Sequence, residues 1–193
     1  MAALHQSQLI LGGVRSGKSR HALGLARQAR GRIVFVATAQ ALDGPMTSRI
    51  ARHQAERPRG WRTVEEPFDV GETCRRLSGI FDLALVDCLT LWVSNRLLRG
   101  DADAAILSGA DELATLMGER ILSLILVSNE VGAGVHPPTE VGLRFSDLMG
   151  SVNQRVAAAA DGVTLMVAGI PISIKDTRLS SPLVSHEHAP EAP

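Results

Sequence analysis

Residues Gly12-Gly13-Val14-Arg15-Ser16-Gly17-Lys18-Ser19 form an uninterrupted G-x-x-x-x-G-K-S, and no other stretch constrains the fold as strongly. Leu9-Ile10-Leu11 precedes it as a short apolar run. Ser19–Arg30 follows with Ala22, Leu23, Leu25, Ala26 and Ala29 at helical spacing. Strand, glycine loop and helix in that order make a phosphate-binding loop. Glycines let successive backbone N–H groups curl around an anion, and the helix N-terminus adds its positive end. Lys18 is placed to reach the β- and γ-phosphates and Ser19 to offer its hydroxyl to Mg²⁺. The pattern predicts binding of a nucleoside triphosphate.

Beyond the loop, apolar β-rich runs alternate with helical patterns, which predicts a mainly parallel α/β sheet flanked by helices. Ile33–Thr38 reads as a strand. Asp43-Gly44-Pro45 opens a helix that ends near Glu56 or Arg57, because Pro58 disfavours helical geometry before it. Trp61–Glu65 is a weaker strand pattern, Val70–Leu77 a helix and Leu83–Asp87 a buried strand ending in an acid. Leu89–Arg99 and Ala104–Gly118 read as helices, separated by Gly100-Asp101. Ser123–Asn129 reads as a strand, Glu130–Pro138 as a loop of functional length, Val141–Ala160 as a long helix and Val163–Ala168 as the final core strand. From Asp176 onward Ser, Pro, His and Glu dominate, which predicts a disordered tail over 176–193 behind one catalytic domain, 1–175.

Composition narrows the function classes. The 193 residues carry a formal net charge of +0, so no global field recruits nucleic acid or anionic membrane. Aromatic residues make up 3%, with no Tyr, which argues against base-stacking platforms. Cys74 and Cys88 have neither metal-ligand nor disulfide spacing. No signal segment or membrane-spanning run is visible, and the expected setting is the reducing cytoplasm.

A phosphate loop works with an acid at the end of a neighbouring strand, and Asp87 is the best candidate to hold Mg²⁺. Capping the next helix is the competing role for that carboxylate. On the 43–57 helix, Met46, Ile50 and His53 share a face, with Arg49, Arg52 and Arg57 around the histidine. Spacing alone favours an ordinary amphipathic helix with a satisfied histidine and solvated arginines. The functional alternative is a neutral imidazole that attacks an α-phosphate, its pKa lowered by the nearby cations. His21 is a phosphate contact or, slightly favoured, a helix surface residue. Asn129 and Glu130 stand at a strand end where α/β proteins bind ligands, with loop capping equally open. Arg155 is a phosphate contact or an exposed helical charge. His186-Glu187-His188 lacks a third anchor for a metal.

Several blocks, taken together and in order, resemble one family. They are Gly12–Ala22, Ala37-Thr38-Ala39-Gln40, Arg49-Ile50 with His53, Arg57-Pro58, Trp61-Arg62-Thr63 with Glu65, Asn129–Gly132 and Val152–Asp161. The family is the bifunctional adenosylcobinamide kinase / adenosylcobinamide-phosphate guanylyltransferase of cobalamin biosynthesis, and the resemblance spans Leu9 to Lys175. It implies a RecA-like P-loop NTPase domain. The implied reactions are phosphorylation of adenosylcobinamide by ATP or GTP, then transfer of GMP from GTP through a guanylyl-histidine to adenosylcobinamide phosphate. His53 matches the nucleophile. Gly12–Ser19, Ala37, Thr38, Ala39, Gln54, Ala55, Glu56, Arg57, Glu65 and Asp87 match the nucleotide-contacting segments. A homotrimer is also implied, for which the apolar Leu89–Leu98 helix is one candidate interface and core burial the equal alternative. Two departures stand out. Arg52 occupies a position where some members carry a second histidine, and Asp87 stands where some carry Glu. A P-loop kinase for another small metabolite and a non-enzymatic RecA-like nucleotide switch are the competing functions.

Overall fold

The structure, a computed structural model, describes residues 6–41, 44–55, 57–132, 134 and 137–177. The elements in chain order are β1 (Ser7–Gly12), α1 (Lys18–Gln28), β2 (Ile33–Ala37), α2 (Gly44–Ala55), β3 (Arg62–Glu65), α3 (Val70–Leu77), β4 (Leu83–Asp87), α4 (Leu89–Arg99), α5 (Asp103–Glu119), β5 (Ser123–Asn129), α6 (Glu140–Ala159), β6 (Gly162–Val167) and β7 (Ile170–Asp176). In α2 the described side chains are those of Thr47, Ile50, Ala51, Gln54 and Ala55; that of His53 lies outside the described residues, as do Asp43, Glu56 and 178–193.

The strands form one seven-stranded sheet in the order β3-β2-β4-β5-β1-β6-β7. Every pairing is parallel except β6 with β7. β2, β4 and the middle of β5 are buried on both faces, which is why they read as unbroken apolar runs instead of alternating ones. The α/β architecture expected from the alternating patterns is the one observed.

Alternate side chains send the core to both sides of the sheet. On one face Leu9, Leu11, Val86 and Leu126 pack against Trp92 and Val93 of α4, Leu113 and Leu116 of α5, and Met149 and Val152 of α6. On the other, Ile10, Phe35, Leu85 and Ile125 meet Ala22, Leu23 and Ala26 of α1. The first face is thickly covered by helices. The second is left open beside α1, between the sheet and α2.

One sequence expectation is corrected, and for the 89–98 helix one of the two stated alternatives accounts for the burial. Val163–Ala168 is not the last strand: the chain reverses at Ala168-Gly169 and returns as β7 through Asp176, placing Ile170, Ile172 and Ile174 on an exposed edge. Pro171 suits that position, because an edge strand can spare a backbone donor. The 89–98 helix is explained by the monomer core, since Leu89 and Val93 have no exposure and Trp92 only 1%, while Leu98 alone of its large apolar residues stands out in solvent.

Candidate active site

All parallel strands point their C-terminal ends the same way, and the sequence motifs collect at that end, where α/β sheets bind ligands. β1 leads into the phosphate loop. Arg15 at φ 57 and Gly17 at φ 94 adopt left-handed backbone within it, a change of hand that shapes anion-binding concavities. Gly12 leaves room that nothing larger would: an added Cβ would stand 2.8 Å from the Met166 carbonyl oxygen and 2.5 Å from Ser16 Oγ. Gly17 lies 3.3 Å, by the same construction, from the Cα of Gly169, whose N–H donates to the Ser16 carbonyl at 2.9 Å. The β6–β7 turn therefore braces the loop.

Ser16 Oγ is buried and has no hydrogen-bond partner among the described residues. A buried hydroxyl of this kind fits a loop shaped for an anion, since leaving it unpaired is costly. The Lys18 ammonium, on a residue only 8% exposed, donates to the Gly13 carbonyl at 3.0 Å and so lies folded along the loop. Ser19 is half-buried on the first turn of α1. Gly13, Val14 and Arg15 are exposed at the rim.

Beside this loop, a cavity of about 520 Å³ opens between α2 and the ends of β2, β3 and β4. Phe35, Ala37 and Ala39 form its floor, Ile50, Ala51 and Gln54 come from α2, and Glu65 and Asp87 close two strand ends. Arg57 reaches in with its guanidinium carbon 3.7 Å from the Phe35 ring centroid, and one of its terminal nitrogens donates to Thr63 Oγ1 at 3.1 Å. Burial lowers the Arg57 pKa, while Asp87 and Glu65 hold it up. Its Nε is buried without a hydrogen-bond partner among the described residues. The cavity thus presents a cation on an aromatic face and two carboxylates, suited to a polar heterocycle with anionic groups.

Asp87 belongs to this cavity and sits at the end of β4 beside Ala37 of β2. Cys88 follows it through a cis peptide. Burial, with Asp87 next to it, pushes the Cys88 thiol up to about 11, so it is a core group and not a nucleophile at neutral pH. Thr38 does not line the cavity. It is fully buried, its hydroxyl donating to the Cys88 carbonyl at 2.8 Å and accepting from the Cys88 N–H at 2.7 Å. Ala55 is exposed at the end of α2 and lines no part of the cavity. His53 lies on the α2 backbone immediately before Gln54.

The remaining candidates divide. Asn129 pairs in register with Gly12 of β1, and its backbone is held by Thr90 and by Asn153. Glu130 sits beside the loop through an N–H bond to the Gly12 carbonyl, while its carboxylate accepts from the Gly132 N–H, a loop cap. Arg155 pairs with Asp111 across α5 and α6 at 2.9 Å. His21 is half-buried, and burial lowers its pKa. His186, Glu187 and His188 lie outside the described residues. Among the residues given no role beforehand, Phe35, Pro67 and Leu91 also line the cavity, as does Gln40 from the Ala37–Gln40 block. Phe35 was visible only as a strand residue; nothing in its spacing marks it as a platform for Arg57.

Residues 8–174 match the family described as cobinamide kinase / cobinamide phosphate guanyltransferase. The bifunctional adenosylcobalamin biosynthesis protein CobP of Pseudomonas aeruginosa is 46% identical over 168 residues, covering 86% of this chain and 96% of that protein. The corresponding CobU proteins of Salmonella typhimurium and Escherichia coli K12 are 40% and 37% identical, each alignment covering 86% of this chain and 98% of the relative. Among solved structures, the assembled type III secretion ATPase EscN of enteropathogenic E. coli superposes with a TM-score of 0.56 at 16% identity, over 86% of this chain and 43% of its own. A prototypical type III secretion ATPase gives 0.53 at 15% identity, over 84% and 52%. The chain spans about half of each ATPase, and what it shares with them is the P-loop fold. With the family pattern running through nearly the whole sequence and relatives matched almost end to end, the chain belongs to the cobinamide kinase / cobinamide phosphate guanyltransferase family.

Proposed function

We propose that this protein phosphorylates adenosylcobinamide and then guanylylates the product. In the first reaction the acceptor's hydroxyl oxygen attacks the γ-phosphorus of ATP or GTP, and the nucleoside diphosphate leaves. In the second, an imidazole nitrogen of His53 attacks the α-phosphorus of GTP and expels pyrophosphate. A phosphate oxygen of adenosylcobinamide phosphate then displaces the histidine, giving adenosylcobinamide-GDP. The observation that carries the reading is a complete phosphate loop adjoining a separate cavity whose wall includes Asp87 and whose α2 side includes the residue after His53.

Lys18 and the loop N–H groups neutralise the phosphates. The orphaned Nε of Arg57 and its stacking on Phe35 support contact with the nucleotide, and the Glu65 carboxylate suits the N–H groups on the edge of guanine. Ser19 and Asp87 offer the hard oxygen donors that Mg²⁺ prefers. Bound there, Mg²⁺ would offset charge on the triphosphate. The nucleotide-contacting roles of Gly12–Ser19, Ala37, Ala39, Gln54, Arg57, Glu65 and Asp87 rest on the family resemblance together with this geometry, and those of Ala55 and Glu56 on the resemblance alone; Thr38 stands behind the cavity wall, bonded to Cys88. The resemblance also supports residues 1–175 acting as one catalytic domain, assembled as a homotrimer in the cytoplasm. Among the described residues no helix is long and apolar enough to cross a membrane.

The test is incubation with Mg²⁺ and GTP labelled at the α-phosphate, followed by denaturation. Acid-labile label at His53 that chases onto adenosylcobinamide phosphate is the expected result. The His53→Ala variant should take up no label yet phosphorylate adenosylcobinamide. Equal retention of both activities would remove His53 from its role. Nucleotide binding without transfer to either acceptor would favour the switch.

A further inference from the structure

Asn95 lies on α4, outside every motif, yet it is only 6% exposed. Its Nδ2 donates to the Thr38 carbonyl at 2.7 Å and to the Pro67 carbonyl at 3.2 Å. Both partners are carbonyl oxygens, which settles the orientation of the amide and uses both of its N–H groups. Thr38 in turn brackets the backbone of Cys88 with its hydroxyl, and its own N–H donates to the Asp87 carbonyl at 3.3 Å. One side chain on α4 therefore ties together the β2 end, the β4 end and the Glu65–Pro67 crossing. These three segments form walls of the cavity.

The anchor beneath them is firm. Arg96, the next residue on α4, meets Asp101 at 2.6 Å with both side chains 12% exposed. Trp92 Nε1 donates to the Phe68 carbonyl at 2.7 Å. Glu66 holds the same crossing from the other side, accepting from the Phe68 and Asp69 N–H groups and from Thr73 Oγ1. By contrast, the phosphate loop continues directly from β1 and is braced by the β6–β7 turn, where the Gly169 N–H donates to the Ser16 carbonyl.

We infer that Asn95, acting through Thr38 and Pro67, is a positioning residue for nucleoside recognition, setting the spacing of the cavity walls. The inference rests on reading this cavity as the nucleoside site. It separates two parts of nucleotide binding: the hub serves the nucleoside cavity and the loop serves the phosphates. Replacing Asn95 by Leu keeps most of the volume but leaves two buried carbonyls without donors. Thr38→Val leaves the Cys88 N–H without its acceptor and the Cys88 carbonyl with the Trp92 N–H as its remaining donor, and Thr38→Ser keeps the hydroxyl.

The experiment measures calorimetric binding of Mg²⁺-GTP and of Mg²⁺-tripolyphosphate to the full chain, with KM and kcat for guanylyl transfer. Wild type is expected to bind GTP more tightly than tripolyphosphate; equal affinities would overturn the nucleoside-cavity reading itself. Given that discrimination, Asn95→Leu and Thr38→Val should weaken GTP roughly tenfold, raise its KM and leave tripolyphosphate unchanged, with Thr38→Ser near wild type. A merely structural role would lower the active fraction and leave the KM and the GTP-to-tripolyphosphate ratio of the folded molecules intact. That result, or loss of both ligands in parallel, would overturn the inference. Should Asn95→Leu fail to fold, the Thr38→Val and Thr38→Ser pair decides the question by the same ratio.

Discussion

The phosphate loop and the cavity beside it serve the same nucleotide in our reading but are built in opposite ways. The loop is eight consecutive residues, Gly12–Ser19, whose shape follows from local backbone freedom and whose charge comes from Arg15 and Lys18. The cavity draws on β2, α2, β3, β4 and α4, and its walls are held by bonds between residues as distant as Thr38 and Asn95. A site coded by contiguous residues tolerates changes elsewhere in the fold. A site assembled from five elements depends on buried residues that never touch the ligand.

The largest expected effect that tests this contrast is at Lys18. Lys18→Ala should weaken GTP and tripolyphosphate alike and cost the kinase step about a hundredfold or more in kcat/KM. An effect confined to GTP would erase the division between the two regions. Next comes Gly12→Ala, where the new methyl group would crowd the Met166 carbonyl and Ser16 Oγ. Urea denaturation should report a loss of about 1–3 kcal/mol, and unchanged stability would mean that the β1–β6 junction relaxes freely. Arg57→Met keeps an apolar arm over Phe35 but removes the cation. Calorimetry is expected to show GTP binding weakened roughly tenfold with tripolyphosphate unaffected; a change in both ligands would attach Arg57 to the phosphates instead.

The smallest effect concerns acid sensitivity of the cavity's outer wall. Burial opposes ionisation of Glu66, but the N–H groups of Asp69 and Phe68, with Thr73 and Arg76, win and hold its pKa below the ordinary carboxylate value. A folded pKa below the unfolded one gives stabilisation that is present above the ordinary value and lost as pH falls through the folded one. Wild-type melting temperature should therefore drop more steeply below the ordinary carboxylate pKa than that of Glu66→Gln. Parallel curves would deny Glu66 its part in holding the Pro67 crossing.

Most elements were legible because their patterns are local. Buried parallel strands such as Leu83–Asp87 are unbroken apolar runs, and α3 begins and ends where its spacing predicts. β7 escaped notice although Ile170, Ile172 and Ile174 alternate, because Pro171 interrupts the run and its partner strand is fixed only by the turn at Gly169. The resemblance named Ala37–Ala39 as one nucleotide-contacting segment, whereas in the fold its middle residue is committed to Cys88.

The sequence by itself determined the phosphate loop, the order of strands and helices as far as β6 and, through its ordered blocks, the family. These are properties of neighbours along the chain, where hydrophobic period and backbone freedom act without reference to distant residues. Only the tertiary structure decided that Arg57 lies on Phe35, that Asp87 and Glu65 face one cavity, and that Asn95 ties three of its walls together. Those relations depend on strand order and on buried polar groups finding partners far away in sequence, and no periodicity in the chain encodes which partner that will be.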